Sequence, residues 1–259
     1  MLVDSHCHLD YFSAPGEQEE IVRRAMAAGV GEMVTIGVTY AQSQQAIAIA
    51  ERFETVWACV GVHPNHAADV LPVVTPEALA ELARHPKVIG IGESGLDYFY
   101  DKAPKEIQEQ NFRANIRAAQ ISGLPLCIHA RDADEDIARI LKDERAGGHF
   151  AFLLHCFSSS RRLAEAALEM GGYLSFSGIL TFPKGEAVRE VAAIVPEDRL
   201  LVETDSPYLA PVPYRGKRNE PAYTAYTAKH LAALRGLSEA DMAALTTRNF
   251  RNLFKKAAR

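Results

Sequence analysis

Residues 2–38, LVDSHCHLDYFSAPGEQEEIVRRAMAAGVGEMVTIGV, contain one full structural period of the chain. A short β-rich run, LVDSHCH, gives way to EQEEIVRRAMAAG, whose apolar residues fall near helical spacing, and then to a second short run, EMVTIGV. Strand, helix, strand in this order predicts a parallel βαβ unit. The pattern repeats. Further strands are predicted in VWACVGVHP, VIGIGESGLD, LPLCIHAR, FAFLLHCF, GYLSFSGIL and LLVETDSP, making eight, with amphipathic stretches such as YAQSQQAIAIAERF and PKEIQEQNFRANIRAAQISG between them. Eight such units in 259 residues is the arithmetic of a (β/α)8 TIM barrel in the α/β class, with a doubly wound open sheet as the competing architecture. No linker or compositional shift divides the chain, so residues 1–259 are expected to form a single domain. One long Pro-rich, charged insertion, LAPVPYRGKRNEPAY, separates the last strand from two final helices in YTAYTAKHLAALRGL and SEADMAALTTRNFRNLFKKAA.

Composition narrows the class. Hydrophobic content of 48% supports a sizeable core, and no apolar run approaches the roughly 18 residues of a membrane helix. Cys7, Cys59, Cys127 and Cys156 lie far apart in apolar segments without a CxxC pair, the usage of reduced core residues in a cytoplasmic protein. A net charge of −5, from 28 basic and 33 acidic residues, means that a polyanionic partner would have to meet locally concentrated basic groups. No feature points to an obligate protein partner.

The chemistry concentrates where strands end. In an extended strand, residues at i and i+2 share a face, so His6 and His8 can reach one ion while Cys7 points away. His63 ends the third predicted strand, Glu93 the fourth, His129 the fifth, His155 the sixth and Asp205 the eighth. Any one of them could simply solvate a loop or cap a helix. Seven on the C-terminal rim of one barrel, including five of the nine histidines, point instead to a metal centre; His66, His85, His149 and His230 fall in predicted loops or helices. Four imidazoles with two carboxylates suit Zn, Mn, Mg, Ni or Fe and suffice for two divalent metal ions with positions left for water. A carboxylate such as Glu93 can bridge the pair. Two ions about 3.5–4 Å apart stabilise both the attacking and the leaving oxygen of a displacement at phosphorus.

The motifs VDSHCHLD, GVHP, GESGLDYFY, LPLCIHARDAD, LHCFSSS, GYLSFSGILTF and LLVETDSPYLAPVPYRGKRNEPAY, in this order, resemble the TatD family of metal-dependent deoxyribonucleases from residue 2 to the final NFRNLF. The resemblance implies a divalent-metal-dependent hydrolase, a 3′-to-5′ exodeoxyribonuclease acting on DNA at single-stranded ends. It implies that His6, His8, Glu93 and Asp205 surround one metal and that Glu93, His129 and His155 surround the other. Asp205 and Glu93 would be catalytic, with Asp205 orienting the attacking water and accepting its proton, and His63 would lie near the substrate. Two departures occur: the family often has a second His where Asn65 stands and a Gly where Ser159 stands. Neither is a metal ligand.

Fold and metals alone do not choose a substrate. Amidohydrolases of the dihydroorotase or phosphotriesterase type bridge their metals with a modified lysine at the end of strand four, where this chain has Glu93 and no Lys. Arg215, Lys217 and Arg218 lie just beyond Asp205, and Arg131 lies two residues beyond His129; a cationic loop on the catalytic rim of an acidic protein suits phosphate oxygens. Tyr98, Phe99 and Tyr208 near the rim could stack on unpaired bases. The rival enzyme uses the same site on another ester, such as D-aminoacyl-tRNA or a lactone, and the rival class is a binding protein with structural zinc. Structural zinc sites are closed and commonly Cys-rich, unlike this set. GESGLD lacks dinucleotide-binding spacing, and its glycines are expected to allow a tight turn around Glu93. No GxSxG elbow accompanies Ser94 or Ser206, and Cys127 and Cys156 are expected to be buried apolar groups.

Overall fold

The computed structural model describes residues 1–69, 71–100 and 102–258. Strands β1 (Leu2–Cys7), β2 (Val30–Ile36), β3 (Val56–Val60), β4 (Val88–Asp97), β5 (Leu126–Arg131), β6 (Phe152–Leu154), β7 (Tyr173–Phe176) and β8 (Leu200–Val202) pair in sequence order, all parallel. Helices α1 (Glu17–Ala27), α2 (Tyr40–Arg52), α3 (Pro76–Leu82), α4 (Lys105–Ser122), α5 (Asp134–Glu144), α6 (Arg161–Glu169) and α7 (Glu186–Ile194) alternate with them, and α8 (Thr224–Arg235) and α9 (Glu239–Leu253) follow β8. This is the (β/α)8 barrel, not the open sheet. The barrel closes where Cys7 bridges Ser206, where the His8 N–H donates to Ser206 O (2.8 Å), and where the Asp205 N–H donates to His6 O (2.9 Å).

Alternation along the strands sorts the core into two layers. Phe152 and Leu154, Leu126 and Ile128, and Leu200 and Val202 pack outward against helix residues such as Phe112, Ile137 and Leu163. The residues between them face in. Val3, Val34, Cys59, Ile89, Cys127, Leu153, Tyr173 and Leu201, one from each strand, fill the barrel together with Phe250, Leu253 and Phe254 from α9 and its end. Both strand faces are therefore apolar, which is why these segments are short continuous hydrophobic runs in the sequence. The predicted final helix stops at Leu253, and a short 3₁₀ turn, Lys255–Ala258, follows. Lys256 fixes this turn by donating to the carbonyls of Ala83 and His85, in the segment leading into β4. The C-terminal segment thus plugs the end of the barrel opposite the strand C-termini. Asn249 secures α9 by donating to Glu197 O (2.6 Å) and Leu200 O (2.9 Å) at the entry to β8.

Phe254 is 1% exposed and joins the inner layer from beyond the end of α9. Phe254→Ala should therefore lower unfolding free energy by about 3–5 kcal/mol, read as a reduced midpoint in urea denaturation. A shift under about 1 kcal/mol would show that the barrel interior closes without this ring.

Candidate metal centre

Two irregularities in strand pairing aim the candidate ligands. The β1–β2 register slips between Asp4 and Cys7, which pair with Met33 and Thr35, so β1 carries an extra residue there. His6 and His8 consequently both turn into the barrel mouth, while Cys7 packs in the outer layer. A second slip, between Ile91 and Ser94 on β4, surrounds Glu93. Bulges of this kind re-aim side chains beside active sites. Gly92 and Gly95 have φ of +117° and +148°, and a Cβ on either would collide with the carbonyl oxygen of Cys127 or His129 on β5. The glycines of GESGLD thus permit close approach of two strands. They do not make the tight turn expected from the sequence, since β4 runs on to Asp97.

Glu93 is 3% exposed, and its two carboxylate oxygens face different groups. Oε2 lies 3.3 Å from His6 Nε2 and 4.0 Å from His8 Nε2. Oε1 lies 2.8 Å from His155 Nε2, 3.0 Å from His129 Nδ1 and 3.3 Å from His63 Nε2. Asp205 Oδ1 joins the first group, 3.5 Å from His8 Nε2 and 3.7 Å from His6 Nε2. Regular pairing in β8 ends at Val202, and Asp205 turns back toward the mouth through a left-handed backbone conformation (φ +55°). His63 likewise sits beyond the end of β3, where its N–H donates to Val38 O (2.9 Å).

The far nitrogens of three imidazoles are engaged by groups behind them. His129 Nε2 lies 3.0 Å from Asp97 Oδ2, and Asp97 Oδ1 accepts the N–H groups of Phe99 and Tyr100, both at 3.0 Å. Burial alone would raise the Asp97 carboxyl, but the His129 contact and these N–H groups bring it down to about 2. His155 Nδ1 lies 3.2 Å from Glu203 Oε1, which also accepts the Cys156 N–H at 2.8 Å. His6 Nδ1 lies 3.3 Å from Cys127 Sγ. For His129 and His155 the partner is a carboxylate, which accepts the ring N–H, fixes the tautomer and leaves the other nitrogen free to ligate. His63 is wired the opposite way. Its Nδ1 accepts the Asn65 N–H (3.0 Å), so the neutral ring carries its proton on Nε2, toward Glu93. Burial outweighs the pull of Glu93 and lowers His63 to about 4, which keeps the ring neutral. His63 therefore faces the centre as a hydrogen-bond donor.

The donor set fits divalent ions. His6 Nε2 and His155 Nε2 are buried without a hydrogen bond, although oxygens of Glu93 lie 3.3 and 2.8 Å away. Lone pairs converging on a shared cation produce such contacts, because two donors about 2.1 Å from one ion at the tetrahedral angle sit about 3.4 Å apart. Burial opposes ionisation of Glu93 and Asp205, yet the surrounding histidines hold Glu93 well below, and Asp205 below, the usual carboxylate range.

A cavity of about 460 Å³ opens over these groups, with His63, Glu93, Asp205, Arg131, Tyr11 and Tyr208 in its walls. The three basic residues of the insertion do not line it. Arg215 lies over the ring of Phe182 and Lys217 over Tyr214, at 3.7 and 5.8 Å from the ring centres. Arg218 pairs with Glu17 (2.7 Å), donates to Tyr11 O and covers Phe12.

The family model for TatD-related DNases matches residues 3–255. The chain belongs to the TatD-related DNase family of metal-dependent hydrolases. An uncharacterised metal-dependent hydrolase of Bacillus subtilis, YabD, is 42% identical across 98% of this chain and 99% of its own length. A Salmonella typhimurium protein named 3′-5′ ssDNA/RNA exonuclease TatD is 35% identical, over 92% of this chain and 93% of its own. Among solved structures, the TatD homologue YJJV from Escherichia coli K12 superposes with a TM-score of 0.88 at 28% identity, covering 98% of both chains.

Within this TatD-related site, sequence reasoning missed Asp97 and Glu203. Each had a signal, because GLDYFY and VETDSP place an extra acid at the strand end beside a candidate ligand. Asp97→Asn should weaken divalent-ion binding about 10–100-fold by calorimetry, with the circular dichroism spectrum retained. Unchanged affinity would mean that Asp97 does not orient a ligand.

Proposed function

We propose that this enzyme hydrolyses phosphodiester bonds of nucleic acid, releasing nucleotides in the 3′-to-5′ direction, with two divalent ions held on either side of Glu93. The observation that carries the reading is the split environment of Glu93, one oxygen toward His6 and His8, the other toward His129 and His155. His6, His8, Glu93 and Asp205 would hold one ion, and Glu93, His129 and His155 the other. Divalent ions bound there supply the positive charge that eases ionisation of water and offsets charge growing on the phosphoryl oxygens. Likeness to the Salmonella typhimurium exonuclease supports nucleic acid as the substrate and supports the polarity.

The residues divide the remaining work. Asp205 has a side chain 16% exposed at the cavity and a carboxylate held in its ionised form, the state needed to orient an attacking water and take its proton. Arg131, in the cavity wall, would meet a phosphate, and the His63 Nε2–H points into the centre as a hydrogen-bond donor. Arg215, Lys217 and Arg218 would hold phosphates further along the strand. Their exposed ring and ion-pair contacts leave the positive charge accessible to a polyanion.

Single-stranded DNA labelled at either end, incubated with enzyme of measured metal content, should release labelled mononucleotide first from the 3′ end. Release from the 5′ end, or none, would overturn the reading. Asp205→Asn keeps the size and one oxygen but loses the proton acceptor, so single-turnover cleavage at saturating metal should fall about 10²–10⁴-fold while bound metal, checked by elemental analysis, is retained. Near-normal cleavage would make Asp205 structural. Neutralising Arg215 and Lys217 together to Gln should flatten the plot of log affinity for single strands against log salt by up to about 1.4, some 0.7 for each phosphate no longer neutralised. An unchanged slope would assign both side chains to ring packing alone.

A further inference from the structure

Among the described residues, every exposed Phe, Tyr or Trp side chain lies at one place. Tyr11, Phe99, Tyr100 and Tyr208, exposed by 45%, 55%, 57% and 49%, surround the mouth of the Glu93 cavity; Tyr11, Tyr100 and Tyr208 line it and Phe99 adjoins Tyr100. Exposed apolar surface gathered beside a cavity marks a binding surface. The four rings form two pairs, one for each half of the centre. Tyr11 and Tyr208 meet edge to face at 5.8 Å, and both meet the ring of His8 the same way, at 5.9 and 6.5 Å. Phe99 and Tyr100 meet edge to face at 4.9 Å on the other half, where their N–H groups hold Asp97 and, through it, His129.

Both pairs are pre-set by hydrogen bonds to residues of the centre or directly behind it. The Tyr208 N–H donates to Asp205 O (3.0 Å), and the Asp97 carboxylate fixes the Phe99–Tyr100 corner. Neither pair is stacked face to face on another ring, so a flat ligand can lie against it. Arg131 lies over one face of Phe99, 4.6 Å from the ring centre, and adds a cation to that platform, whose open ring is Tyr100. Tyr98 is excluded, because it is only partly exposed, does not line this cavity and has its hydroxyl bonded to Asp136 (2.8 Å). The required ligand is flat and apolar on its faces, carries anionic charge, and occurs as two flat groups flanking one reacting point. Two consecutive nucleotides meet that description.

We propose that Tyr11 with Tyr208, and Phe99 with Tyr100, are stacking platforms for the two bases flanking the scissile phosphate, so that the substrate must present these bases unpaired and splayed apart. The proposal rests on the nucleic-acid reading above and adds the determinant of single-strand selectivity. Stacking on a ring is indifferent to base identity, so the platforms select unpaired bases without selecting a sequence.

The test is binding of metal-loaded enzyme to cleavage-resistant phosphorothioate dT octamers, read by fluorescence anisotropy. The same octamer carrying tetrahydrofuran abasic residues at its last two 3′ positions is compared. Loss of both bases should weaken binding about 100-fold, at about tenfold per stacked base. Tyr208→Leu and Tyr100→Leu should each weaken binding of the dT octamer about tenfold and leave binding of the abasic octamer unchanged. Equal wild-type affinity for the two octamers, which a protein-docking role for these rings would give, overturns the proposal, as does an equal loss on both octamers in the variants. Failure of the nuclease reading looks different. Enzyme that distinguishes the octamers but releases no nucleotide from unmodified DNA supports the platforms and refutes the hydrolysis, whereas enzyme that cleaves but ignores the abasic substitution refutes the platforms alone.

Discussion

Glu93 places a negative charge inside the barrel, where withdrawing it from water costs several kcal/mol unless partners surround it. Five imidazoles, from β1 and the residue after it, from β5 and from the segments following β3 and β6, supply those partners, and each must arrive with one particular nitrogen facing in. That requirement reaches outward. His129 needs Asp97 behind it, His155 needs Glu203, and His63 needs the Asn65 N–H. The close approach of β4 to β5 needs Gly92 and Gly95, since a side chain at either would strike the neighbouring strand. One buried carboxylate thereby fixes residues on most of the rim.

The seam between the first and last strands carries the other half of the constraint. Asp4 on β1 accepts the Thr204 N–H (2.9 Å) and the Thr204 hydroxyl (2.6 Å), and Ser5 donates to Val202 O (3.0 Å). These bonds lock residues 202–204 to β1 immediately before Asp205. The Asp205 N–H then closes onto His6 O, so a candidate ligand from beyond the last strand is held by the backbone of a candidate ligand from the first. Closing the barrel and assembling the group of His6, His8 and Asp205 are one structural event.

Much of this is legible in the sequence because it depends on periodicity. Strand and helix alternation defines the barrel, and the strand C-termini bring His6, His8, His63, His129, His155 and Asp205 together with Glu93 in one cluster at the barrel mouth. What cannot be read concerns register and direction. The slips at Asp4–Cys7 and Ile91–Ser94 depend on pairing with a neighbouring strand, which one-dimensional spacing does not encode. The glycines beside Glu93 suggest a turn, because a strand with φ above +100° at two residues is recognisable only from the strand it touches. Asp97 and Glu203 are hidden for a related reason: a carboxylate behind a ligand and one that ligates occupy the same kind of position in sequence, and only the nitrogen each faces separates them.

Charge connects the buried centre to its surface. When ionised, Glu93, Asp205, Asp97 and Glu203 gather around one point four of the negative charges that make up the protein's net −5. Left uncompensated, that field would repel a phosphodiester at short range, where a low local dielectric strengthens every interaction. Two divalent ions carry the opposite charge in equal amount, so the four carboxylates together, two in the proposed ligand set and two behind it, balance the pair that we propose the site holds. On the proposed reading, the attraction that draws in a polyanion comes from Arg131 and the loop at Arg215, Lys217 and Arg218. The aromatic rings between these zones add contact without charge, and so hold the flanking bases without disturbing the balance at the reacting phosphate.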